Sequence, residues 1–358
     1  MTHQEISHHR LVSQKLLETD SNFPEEIVRH LGAMQAQDYG MAKWAIGSRC
    51  DATEKEIEDV INSGKIIRTH ILRPTWHFVS ADDIHWMLDV SGPQVKRIIL
   101  SETKKYGYDE KEFERINSNI EKILAGNNHL TREEIIQELN IKKVSGEYYL
   151  SPVLIMMYAE LSGLVCNGKM KGKQITYALL EEKVSKPQSK LTKEEGLAKL
   201  AKRYFESHGS ATILDFSWWS GFPPTTVRLA INSIESELNS VEIDNQKYWF
   251  GTNFTEVDNF CESVHFLPAF DEILISYKTR EVSILQEHQS KAFTNNGIFK
   301  SIILENGKVI GTWKRTLKKD HAKIETQFFN ETEDHKKSIL FEGIKSFEKY
   351  LETKISIK

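Results

Sequence analysis

Apolar residues recur at helical spacing in three stretches of the chain. "SPVLIMMYAELSGLV" sets Leu154, Met157, Tyr158, Leu161, Leu164 and Val165 on one face. "KEEGLAKLAKRYFESHG" does the same with Leu197, Leu200, Ala201, Tyr204 and Phe205, and "PPTTVRLAINSIESEL" with Val227, Ala230, Ile231, Ile234 and Leu238. Shorter helical segments accompany them, "TREEIIQEL" and "ATILDFSWWSGF". Strand-like pairs follow: "VCNGKMKGKQITYAL" around a Gly/Lys turn, and "VEIDNQKYWFG" over Asp244-Asn245. Helix, helix, hairpin is the winged-helix order. The N-terminal part reads likewise, with helices near 6–18, 24–35 and 54–63 and a strand pair through "IIRTHILRPTWHFVS".

Capping boxes punctuate this pattern. In Thr53-x-x-Glu56, Thr131-x-x-Glu134 and Thr192-x-x-Glu195 a hydroxyl takes one free backbone N–H and a glutamate returns to another. Gly64 closes the helix that Thr53 opens, and "VSKPQSKLTK" from Val184 to Lys193 reads as a linker. The last hundred residues change character. "HFLPAFDEILIS", "SIILENGKVIGTWKR" and "KIETQFFN" are strand-like, Asn306-Gly307 is a two-residue hairpin turn, and a final helix carries Leu340, Ile344, Phe347 and Leu351. The expected fold is α+β. Three tandem winged helices occupy 1–80, 129–185 and 192–255, a helical connection fills 81–128, and a small antiparallel β domain with a C-terminal helix fills 260–358.

Composition sharpens this only locally. Lys+Arg total 47 against 51 Asp+Glu in 358 residues, so any nucleic-acid site must be local. Lys169, Lys171 and Lys173 sit on the second wing with no acid among them. Lys314, Arg315, Lys318, Lys319 and Lys323 cluster near the C-terminus, offset by Asp320, and Arg228 lies on the last helix of the third module. Each is either a phosphate contact or a solvated surface charge. Cys50, Cys166 and Cys261 are too far apart for a zinc site or a redox pair, which suits a reducing compartment. There is no signal-peptide core and no run of membrane-spanning length, so the expectation is a soluble, cytoplasmic protein. No GxSxG, HExxH or GxGxxG occurs, and "GKMKGKQ" is one residue too short for a phosphate loop. His3, His8 and His9 read as part of a mobile polar N-terminus, and neither metal nor cofactor is expected.

"MQAQD", from Met34 to Asp38, poses the chemical question. Two glutamines exchange no proton near neutral pH, so they either bond free carbonyls at a helix end or do chemistry without a strong acid or base. On a helix, residues two apart diverge by roughly 200°, whereas in an extended segment they share a face. Joint action on one substrate therefore requires the helix from Pro24 to end near Met34.

"LGAMQAQDYGMAKWAIGSR", "IIRTHILRPTWHFVSADDIHWML", "LPAFDEILISYKTR" and "IGTWKR" together resemble the winged-helix DNA glycosylases of the AlkZ/YcaQ-like type, over nearly the whole chain. Gln35 and Gln37 match the family's Gln-x-Gln branch, and Arg73, Thr75 and His77 match its R-x-T-x-H stretch, with Pro74 where a glycine is commoner. The resemblance implies a monofunctional glycosylase, with Gln35 and Gln37 catalytic. Its substrates would be cationic alkylated purines in double-stranded DNA, including N7-alkylguanine and bulky or interstrand-crosslinked adducts. A monomer that needs no membrane is expected. DNA contacts are expected at His70, Arg73, Thr75, Lys169, Lys171, Lys173, Arg228, Lys314 and Arg315, although Arg73 could equally pair with Asp38 or Asp82. The competing reading is a non-enzymatic winged-helix regulator, which would dimerise and read base edges with a recognition helix.

Overall fold

The computed structural model describes residues 1–17, 23–140, 151–252, 262–318, 321–330 and 332–357. The fold is α+β, and the chain forms two compact units. One joins Met1–Asp59 to Leu197–Lys358; the other is Val60–Gly196.

The Val60–Gly196 unit opens with an antiparallel hairpin, Ile66–Ile71 and Arg73–Ser80, turned at Leu72 with φ 61. Two helices follow, Ile84–Thr103 and Glu110–Leu124. Thr131 and Glu134 form the expected capping box on the helix Arg132–Leu139. Then come the helix Pro152–Leu161 and an antiparallel strand pair, Val165–Asn167 with Thr176–Leu179. Val95, Ile99, Phe113, Ile116, Ile120, Ile135, Ile155 and Tyr158 share one core, in which Phe113 stacks on Tyr158 with centroids 4.2 Å apart. Gly92 lets two helices touch: a Cβ there would meet the Leu161 carbonyl oxygen at 2.8 Å. The loop expected after Leu139 falls in 141–150, outside the described residues.

The other unit holds the helices His3–Ser13, Pro24–Leu31 and Tyr39–Gly47, then Lys193–His208, Ile213–Ser220 and Pro224–Ser233. The hairpin Leu238–Ile243 and Gln246–Gly251 turns at Asp244 and Asn245, whose φ values of 50 and 60 are those of the expected two-residue turn. A five-stranded sheet follows, in the order Ile355–Ile357, Ala322–Phe328, Lys308–Leu317, Ile302–Glu305, Val264–Leu267. The helix Glu333–Leu351 brings Phe347 and Tyr350 against Trp44, with centroids 4.8 and 4.9 Å away. The Trp44 indole N–H donates to the Phe266 carbonyl at 2.6 Å. Trp44 is thus part of the core.

The structure departs from the sequence reading in five places. Residues 3–13 form a capped helix with His8 and His9 buried, so this N-terminus is not a mobile tail. The helix from Pro24 stops at Leu31, because Gly32 turns to φ 80. Tyr39–Gly47 is an additional helix, capped by Asp38. Its apolar residues run round the whole helix, so no amphipathic stripe announced it. "DEILI" is a short helix and not a strand: the Asp271 carboxylate accepts from the Ile273 N–H at 3.0 Å. The sheet also has a parallel edge, Ile355–Ile357 on Ala322–Phe328, in a domain expected to be antiparallel.

Candidate active site

The Gln-x-Gln motif lies between two helices. Pro24–Leu31 ends at Gly32, Ala33–Gln35 is extended, and Asp38 (φ −94, ψ 102) caps Tyr39–Gly47 by accepting from the Met41 N–H at 3.0 Å. The two glutamines therefore share no helix. Met34 and Ala36 are fully buried, Gln35 is 7% exposed, and Gln37 is exposed in the bend beyond the strand. An extended backbone is what residues two apart need in order to face one target.

The capped helix has one charged side chain, Lys43. Lys43 lies between Glu54 at 3.0 Å and Glu58 at 2.9 Å, and the Tyr39 hydroxyl donates to Glu58 at 2.9 Å. One cation does approach the motif's turn. The Arg315 Nη2 is 2.9 Å from where a Cβ on Gly40 would sit, a point 3.8 Å from the Asp38 carboxylate. Arg315 is half-buried, and its Nη1 is shielded from water with no hydrogen-bond partner. Lys314, its neighbour, is exposed and faces Glu325 across the strand pair. Arg228 is exposed on the helix Pro224–Ser233.

Behind the motif is a buried polar network that the sequence reading passed over. The Gln35 N–H donates to Glu272 Oε1 at 2.6 Å, and the Ser276 hydroxyl donates to Glu272 Oε2. His208 Nε2 stands 3.8 Å from the same carboxylate. Burial acts to raise the Glu272 pKa, but His208, Ser276 and the Gln35 N–H outweigh it and hold the group below its ordinary value of 4.5. Burial pushes His208 below 6.5. Arg49 grips Asp271 with two bonds of 2.8 Å, and Gln14 joins Arg49 to the Tyr277 hydroxyl. The only trace of this network in the sequence is the acidic pair within "AFDEILIS", where Asp271 reads as a junction residue.

The remaining sequence candidates belong to the Val60–Gly196 unit. His70 is 1% exposed, bonds Glu160 through Nδ1 and packs on the Trp76 ring at 4.4 Å. Its ring does not reach solvent, so the expected DNA contact at His70 does not fit this conformation. A buried imidazole is kept where its carboxylate partner is. Thr75 and Arg73 are half-buried on the second strand of the first hairpin, and the Thr75 Oγ1 is shielded with no hydrogen-bond partner. Lys169, Lys171 and Lys173 are all exposed between the strands Val165–Asn167 and Thr176–Leu179. Lys171 pairs with Glu134 at 2.5 Å and takes the largest part in bringing that carboxylate down to about 2. Lys319 and Asp320 of the C-terminal cluster lie outside the described residues. Among the described residues no group of His, Cys, Asp and Glu could hold a metal ion, and no helix is long and apolar enough to cross a membrane.

The fold is thus an α+β chain of helices and short hairpins, with a glutamine pair on an extended turn between two helices. The chain matches the family model described as DNA glycosylase AlkZ-like over residues 28–350. It belongs to that family and is a DNA glycosylase, a DNA repair enzyme. Its fold is also that of Streptomyces sahachiroi DNA glycosylase AlkZ, with a TM-score of 0.84 at 20% identity, covering 100% of this chain and 99% of that one. Among curated proteins, none matches the chain.

Proposed function

We propose that the protein is a monofunctional glycosylase that hydrolyses the N-glycosidic bond of cationic alkylated purines in double-stranded DNA, with Gln35 and Gln37 as its catalytic residues. The observation that carries this reading is the extended turn between Gly32 and Asp38, which takes both glutamines off the helix. An N7- or N3-alkylated purine is positively charged, and its departure neutralises it. The leaving group therefore needs no proton from the enzyme. What the reaction needs is a placed water and a stabilised oxocarbenium-like sugar. A glutamine carbonyl accepts from the water and turns its negative end to the cation, while its NH2 fixes the geometry. An undamaged purine reacts poorly at such a site, so selectivity comes partly from weak catalysis.

The lesion class includes bulky and interstrand-crosslinked N7-alkylguanine. A base tethered to both strands resists full extrusion into a closed pocket, which favours an open site. DNA affinity is assigned to Arg73, Thr75, Lys169, Lys171, Lys173, Arg228, Lys314 and Arg315. The Lys171–Glu134 pair is no obstacle, because a solvent-exposed ion pair contributes little and yields readily to a phosphate. Three winged-helix modules, action as a monomer and a cytoplasmic, nucleoid-associated location belong to the same reading.

Incubation with a duplex carrying a single N7-methylguanine tests it. The expected product is an abasic site with both strands intact until alkali is added. Persistence of the lesion at excess protein would overturn the assignment.

A further inference from the structure

Glu272 is a buried carboxylate that the water-placing chemistry above does not employ. It opens the short helix Glu272–Ile275 and is 2% exposed. Oε1 takes the Gln35 N–H at 2.6 Å, Oε2 takes the Ser276 hydroxyl, and His208 Nε2 lies at 3.8 Å. Its buried acidic neighbours are supplied differently. Asp271 has Arg49, held by two bonds of 2.8 Å, and Asp215 has Arg10 at 3.8 Å. Arg10 in turn lies 3.6 Å over the Tyr277 ring and donates from Nε to the Ser210 carbonyl. Two buried guanidiniums thus face three buried carboxylates, Asp215, Asp271 and Glu272. Of the three, only Asp271 has a guanidinium hydrogen-bonded to it; Arg10 stands 3.8 Å from Asp215, and His208 stands 3.8 Å from Glu272, the carboxylate that holds Gln35.

We propose that Glu272 is a positioning residue of the active site: its carboxylate fixes the Gln35 peptide and places a buried negative charge behind the motif, opposing the cation that develops on the sugar. This inference rests on the assignment of Gln35 to catalysis. Two physical reasons support it. A peptide N–H held by an ionised acceptor is held more strongly than by a neutral one. A fixed charge in a water-excluded interior acts over a longer distance than one in solvent. Four other titratable groups face Glu272: His208, Tyr204, Tyr277 and Arg49. Burial pushes His208 below its ordinary value and the hydroxyls of Tyr204 and Tyr277 above theirs, and Arg49, bonded to Asp271, also feels the Glu272 charge.

Three variants test the proposal by single-turnover excision at saturating protein, with duplex affinity and the Gln35 amide resonance followed in parallel. Glu272→Gln keeps the shape and an acceptor but removes the charge; Glu272→Asp keeps the charge but retracts it. Ser276→Ala removes one donor and leaves the carboxylate. The expected results are a rate loss on the order of tenfold to a hundredfold in Glu272→Gln, a smaller one in Glu272→Asp, and unchanged duplex affinity in both. The Gln35 amide proton should move upfield in Glu272→Gln. If that variant does not fold, Ser276→Ala decides: a reduced rate with intact affinity and a shifted Gln35 amide supports the proposal, and wild-type behaviour overturns it. Folded Glu272→Gln excising at the wild-type rate overturns it alone, leaving the glycosylase reading in place. A wild-type protein that leaves N7-methylguanine untouched brings down both.

Discussion

Arg315 lies across the bare α-carbon of Gly40, its Nη2 2.9 Å from the place a Cβ would take. Gly40 belongs to the first turn of the helix that Asp38 caps, three residues along the chain from Gln37. Gly40→Ala should displace the guanidinium. Duplex affinity should fall, and the slope of affinity against salt should flatten by about one phosphate contact. Arg315→Ala should do the same, and the double variant should add nothing more, since both act on one group. Additive losses would show that Arg315 reaches DNA independently of Gly40.

Gln37→Ala should abolish most excision while leaving duplex binding nearly intact, with Gln35→Ala similar or milder. Removing one positioning or dipolar group costs about 100-fold or more in rate. Binding, by contrast, rests on counterion release at several phosphates. Gln37→Glu separates two roles. A carboxylate retains or improves activity if only the positive charge matters, and behaves like alanine if the NH2 must donate. Wild-type excision by both alanine variants would return the pair to an ordinary structural role at a helix end.

Replacing Lys169, Lys171 and Lys173 together by alanine should weaken duplex binding and flatten its salt slope by up to about three contacts. Single-turnover excision at saturating protein should barely change. Losing Lys171 also removes the Glu134 partner, a solvent-exposed pair whose loss should leave the melting temperature nearly unmoved. An unaltered salt slope would show that this wing does not touch DNA.

Acid should destabilise the protein before the carboxylates titrate. Burial brings His9, His30 and His265 each from 6.5 to about 4. The unfolded chain therefore binds more protons than the folded one between these values, and stability falls as pH falls through that window. The melting temperature should decline between pH 6.5 and 4, and His265→Gln should shallow the decline. A flat profile would mean that these rings take up protons without unfolding.

Asp271→Asn should cost stability on the order of 3–5 kcal/mol, because it leaves the buried Arg49 guanidinium without its counter-charge. A chemical-denaturation midpoint close to wild type would indicate that water or another acceptor replaces the carboxylate.

The elements with local causes were legible in the sequence. All three capping boxes form: Thr53 with Glu56, Thr131 with Glu134, and Thr192 with Glu195. Asn306 and Gly307 take up φ values of 48 and 79 at the expected hairpin. The family motif was equally local, since Gln35 and Gln37 are read from five consecutive residues. Tertiary structure decided what surrounds them. Gly32 could have continued a helix or ended it, and only the packed strand after it settles which. "DEILI" has a strand's composition, yet its apolar residues are buried in a short helix that Asp271 caps. The exposure of His70 depended on Glu160, ninety residues along the chain, and the support of Gln35 on Glu272, 237 residues away. Periodicity and capping report interactions within a turn or two of chain. A carboxylate's partner in a low-dielectric interior is chosen by whatever the fold brings beside it, and no local pattern encodes that choice.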